Sequence, residues 1–101
     1  MSYLNDAVKR LQATILQARR RHFLSVFDLS GDRGRDVERV LADLRDFCRA
    51  EASTFDPDPH MAAFRAGKRE VWLRIQYFLN LSDAEVNRLV EVKSDYVDER
   101  E

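Results

Sequence analysis

The sequence predicts an all-α protein, a small four-helix domain, and three observations carry that expectation. Apolar residues recur at helical spacing in several separate stretches. Helix-start chemistry precedes two of them, and glycine- or proline-bearing segments, Ser30–Gly34 and Phe55–His60, separate them. The helices are expected over about residues 3–21, 36–49, 59–79 and 83–93. Residues 1–94 then form a single helical domain, in which 1–22 can stand as an extended, arm-like helix, and 95–101 form an acidic tail.

The first helix rests on Leu4, Val8, Leu11, Ile15 and Ala18, spaced four-three-four-three, with Ser2 or Asn5 available as a cap. So narrow a seam suits either an antiparallel partner within the chain or a helix from another subunit. Arg19, Arg20 and Arg21 fall near the expected end of this helix, where cations complement the negative pole of the macrodipole. Phe23, Leu24, Val26 and Phe27 break the phase, and Ser30-Gly31-Asp32-Arg33-Gly34 supplies a turn. That turn lacks the Gly-Lys-Ser/Thr ending of a phosphate-cradling loop.

Between Asp36 and Arg49, Val37, Val40, Leu41, Leu44, Phe47 and Cys48 share one wide face, and charges of alternating sign fill the other. The lone cysteine, Cys48, lies on the apolar face and reads as a buried thiol. A connection then carries Phe55, expected to tuck under the next helix as an anchor.

The third helix has the clearest start. Asp58 suits the N-cap and Pro59 the first helical position, where a missing N–H costs nothing. Phe64, Val71, Ile75 and Phe78 line one face with Met61, Trp72 and Leu79 beside it, and Arg65, Lys68, Arg69 and Arg74 fall on the flanks. Gly67 sits inside this pattern, and close approach of another helix is the commonest reason for such a glycine. The second and third helices are expected to form the core pair. The fourth helix opens on a capping box, Ser82 with Glu85, and Leu81 can staple onto Val86.

The motif Asp58-Pro59-His60, followed by Phe64-Arg65-Ala66-Gly67-Lys68-Arg69 and Val71-Trp72-Leu73-Arg74-Ile75, resembles a small α-helical protein family of tailed bacteriophages. That family is typified by a Bordetella podovirus and encoded among head and packaging genes. The likeness extends upstream to Phe27 and to Val40–Cys48, roughly half the chain; where members often carry an acidic residue before the glycine, this chain has Ala66. The resemblance implies a virion component assembled in a host cytoplasm, with no catalytic residue to carry over.

Composition bounds the function. The chain has 101 residues, 45% of them apolar and 35% charged, enough for one modest core. A net charge of −1 hides polarity: residues 1–30 hold five Lys/Arg against two acids, and residues 81–101 hold three against seven. That favours oppositely charged protein partners, copies of the chain included, over uniform nucleic-acid coating. No apolar run approaches the ~20 residues of a membrane span. Asp56, Asp58 and His60 cluster in sequence, but that is turn and cap chemistry more often than metal ligation.

The expected function is therefore a non-enzymatic virion structural protein, without cofactor, metal or small-molecule substrate, docking in many copies on portal or capsid proteins. The residues expected to meet partners are Arg19, Arg20, Arg21, Lys68, Arg69, Tyr96, Val97, Asp98 and Glu99. The alternative is a packaging accessory that binds DNA non-specifically through Arg19, Arg20, Arg21, Lys68 and Arg69.

Overall fold

The computed structural model describes the backbone of residues 2–100 and the side chains of residues 2–92. Four helices follow one another: α1 (Ser2–Val26), α2 (Gly34–Phe47), α3 (Pro59–Leu79) and α4 (Asp83–Arg100). No strand occurs among the described residues, and the fold is a small all-α one, as the periodicity predicts.

The start signals hold at atomic level. Asp58 accepts a hydrogen bond from the His60 backbone N–H at 2.9 Å, with Pro59 in the first turn. Ser82 and Glu85 satisfy each other's orphan donors: the Ser82 N–H donates to Glu85 Oε1 at 3.0 Å and the Glu85 N–H to Ser82 Oγ at 3.2 Å. α3 ends at Asn80, whose φ of 50° places it in the left-handed region that terminates helices.

Two helices outrun their expected ends. α1 continues to Val26 because the phase break at Phe23 marks a change of partner, and the backbone stays helical through it. Its three arginines consequently lie before the last turn, which holds no basic residue, so they are not dipole caps. α4 runs to Arg100, past the expected stop near Lys93 and through the stretch read as an acidic tail, with no glycine or proline after Ser82 to break it. α2 begins two residues early, at Gly34. The structure requires glycine there, since a Cβ would sit 2.3 Å from the Leu29 carbonyl oxygen.

The pairing of helices differs from the expected one. α2 packs chiefly along α4, and α1 along α3, while α2 and α3 meet more sparingly. Leu41, Ala42 and Cys48 from α2 and its cap, Trp72, Ile75 and Leu79 from α3, and Leu89 and Val92 from α4 form one buried cluster. Trp72 sits at its heart, and its indole N–H donates to Gln76 Oε1 at 2.9 Å, so the buried ring leaves no orphan donor. Phe23 of α1 stacks on Phe78 of α3.

This core lies at one end of the long helices. The radius of gyration, 17.2 Å, exceeds the roughly 13 Å of a compact chain of this length, and the longest axis reaches 62 Å. Every residue from Ser2 to Gln17 is exposed.

Candidate partner-docking surface

The apolar stripe of α3 has the phase the sequence predicts, but only half of it is covered. Trp72, Ile75, Phe78 and Leu79 are buried, whereas Met61, Phe64 and Val71 are exposed. The contrast shows between two residues of the same face: Ile75 is 9% exposed and Phe64 62%. Helix length supplies the reason. α3 has 21 residues and α2 has 14, roughly 31 Å against 21 Å, and α1 meets α3 around Tyr77 and Phe78. Along the first three turns of α3, Arg65 meets Phe55 and Asp56 of the preceding segment and Lys68 meets Phe47 of α2.

On that bare half, Phe64, Lys68 and Val71 stand at positions i, i+4 and i+7 of one face. Phe47, at the end of α2, joins them, itself exposed, as is Val40 on the same helix. Both residues had been assigned to the core face of α2, whose buried positions are Leu41 and Ala42. The Lys68 ammonium lies 4.1 Å from the Phe47 ring centroid and 5.5 Å from that of Phe64. Its cation is thus framed by two aromatic rings, an arrangement that holds the charge over an apolar strip.

The segment before α3 is strapped by its backbone and not by its aromatic ring. Arg65 donates to the Phe55 carbonyl oxygen at 3.3 Å and pairs with Asp56 at 3.2 Å, while the Asp58 N–H donates to Asp56 Oδ1 at 2.9 Å. The Phe55 side chain, expected beneath the helix, is 75% exposed, because Arg65 already fixes the connection. These contacts engage the Asp56 carboxylate, and the Asp58 carboxylate accepts from the His60 N–H. Among the described residues no three His, Cys, Asp or Glu side chains gather as a metal site.

Gly67 lies between Phe64 and Lys68 in sequence and on the flank of the strip. A Cβ built there meets nothing within 4 Å. Among the described residues, the helix expected to approach it is not found there.

The other residues expected to meet partners fall in different places. Arg20 is committed inside the chain, its guanidinium 5.1 Å from the Tyr77 ring centroid and donating to the Tyr77 carbonyl oxygen at 3.3 Å. Arg19 and Arg21 are exposed on α1, and Arg69 is half-buried on α3. Tyr96, Val97, Asp98 and Glu99 lie outside the residues whose side chains are described, although their backbone belongs to α4. The five with described side chains stand on two helices, Arg19, Arg20 and Arg21 on α1 and Lys68 and Arg69 on α3. Sequence reasoning missed Phe47, Phe64 and Val71 as surface residues. Their exposure follows from where α1 docks, at the Tyr77–Phe78 end of α3, which the periodicity of α3 does not report.

Fold and surface together define a small all-α protein with an open, cation-bearing apolar face and no helix, among the described residues, long and apolar enough to cross a membrane. Residues 23–91 match the sequence pattern of the Bbp19-like phage proteins, and the chain belongs to that family. The matched span holds all of α2 and α3, so the open face is part of it. No match to the chain was found among curated proteins or solved structures.

Proposed function

We propose that this chain is a non-enzymatic structural component of a phage particle, present in many copies and docked through the outer face of α3 onto a head or portal-vertex protein. The observation that carries the reading is the uncovered half of the α3 stripe. Burying a large apolar side chain is worth roughly 1.5–3 kcal/mol, and Met61, Phe64, Val71 and the adjoining Phe47 leave that stabilisation unrealised in the free chain. Contiguous exposed apolar surface of this kind marks protein contact sites.

Gly67 supports the same reading. A mid-helix glycine costs about 1 kcal/mol relative to alanine, and among the described residues nothing lies within 4 Å of a Cβ built there. A partner backbone drawn up beside the strip gives that position a use.

The DNA-packaging alternative draws on Arg19, Arg20, Arg21, Lys68 and Arg69. Two of those cations, Arg20 and Lys68, are already held against aromatic rings. Mass spectrometry of purified particles, with cross-links mapped from Lys68, tests the proposal. Stoichiometric presence with Lys68 linked to a head or portal protein is the expected result. Absence from particles, together with salt-sensitive binding of duplex DNA, overturns it.

A further inference from the structure

A second apolar strip lies ahead of the span matched by the family pattern. Leu4, Val8, Leu11 and Ile15 are all exposed, Leu4 and Leu11 at 63% and 61%. At 100° per residue this seam is centred about 120° around α1 from the mean direction of Arg20 and Phe23, the side chains that hold α1 to α3. The body therefore attaches away from the seam, which is open from Leu4 to Ile15 and half-buried at Ala18.

We infer that this seam pairs with the same seam of a second copy, as a two-stranded parallel coiled coil over residues 4–18. The composition of the seam selects that occupant. Val8 and Ile15 take the a positions of a heptad and Leu4 and Leu11 the d positions, and β-branched residues at a with leucine at d favour two parallel strands. The flanking e and g positions are Asn5, Ala7, Gln12 and Thr14, all uncharged, so identical chains meet without like-charge repulsion. Asp6, Lys9 and Arg10 fall at f, b and c, away from the contact. Arg19, at e, faces Thr14 of the other chain and not another arginine. Charged e and g residues are what would specify a foreign helix, and here there are none before Arg19.

Geometry agrees. A two-fold axis running along the paired seams sends the two bodies to opposite outer sides, since each attaches well round the helix from the contact. The paired length is only about 21 Å, short of the roughly 800 Å² per partner of a stable interface. The dimer is accordingly weak in dilute solution and gains strength where copies are crowded on a common surface. It supplies the copy-to-copy contact that a multi-copy component needs, and to that extent rests on the reading above; particle composition tests that reading, and sedimentation tests the pairing.

Sedimentation equilibrium of the full chain, carried to about 500 µM, is the experiment. The wild type is expected to pass from monomer to dimer, and Leu11→Asp to raise the midpoint concentration at least tenfold with helicity retained. Ile15→Asp repeats the test should the first variant lose helix. Under mild oxidation Leu4→Cys is expected to cross-link to itself, because parallel strands set each residue beside its own copy. A wild type that stays monomeric, an Asp variant as dimeric as the wild type, or a Leu4→Cys dimer that fails to cross-link overturns the inference.

Discussion

The Phe23 ring lies on the Phe78 ring with centroids 4.6 Å apart and planes inclined by 22°. This stack, with Arg20 over Tyr77, fastens α1 to the end of α3, and Arg74 of α3 itself lies 5.2 Å from the Phe78 centroid. Phe23→Ala should lower unfolding stability by about 2 kcal/mol, less than a fully buried phenylalanine because the ring is half-exposed. Urea unfolding checks this, and an unchanged midpoint would show that α1 is held by something else.

Two aspartate substitutions on one face of α3 should part company. Ile75→Asp places an unpaired carboxylate in the core cluster and is expected to abolish cooperative unfolding, whereas Val71→Asp, one turn earlier and exposed, should shift the melting temperature only slightly. Circular dichroism melts distinguish the two. Equal damage from both would mean that the stripe is covered further than residue 72.

The glycines call for opposite responses. Gly67→Ala should stabilise by about 1 kcal/mol, since the new Cβ enters open space within a helix. Gly34→Ala should destabilise, because the added atom would press against the Leu29 backbone and cannot be relieved by a rotamer change. Denaturant midpoints of opposite sign are expected, and a shared sign contradicts the placement of α3.

Arg49 occupies the left-handed position where α2 ends, with φ at 55°. The Ala50 N–H reaches the Arg45 carbonyl at 3.2 Å and the Arg49 N–H that of Asp46 at 3.0 Å, the two bonds of a Schellman cap. Arg49→Gly relieves the side-chain penalty of that conformation and should stabilise by about 1 kcal/mol in thermal unfolding. A loss of stability would mean that the arginine side chain contributes more than its backbone strain costs.

How much of this was legible beforehand depends on the range of the interaction. The Asp58 cap and the Ser82–Glu85 box lie within three residues of their partners, and the sequence reports such contacts directly. The phase of the α3 stripe is equally local. Which part of the stripe is covered depends on the lengths and docking of other helices, and Phe64 and Ile75 look alike until those are placed. The same holds for α1: Phe23 read as a break in pattern because its partner, Phe78, stands far along the chain. Phe55 misled for a related reason, since an aromatic ring beside two prolines resembles an anchor until Arg65 is seen holding the backbone in its stead.

The quantity of Phe64→Asp incorporated into purified phage particles, measured against wild type, tests most directly whether the open half of α3 is a docking face. The substitution should leave the fold intact, for the site is exposed and the introduced carboxylate lies one helical turn before Lys68. The expected result is a folded variant that accumulates in the infected cell and falls at least tenfold in the particles. Incorporation at the wild-type level would contradict the account.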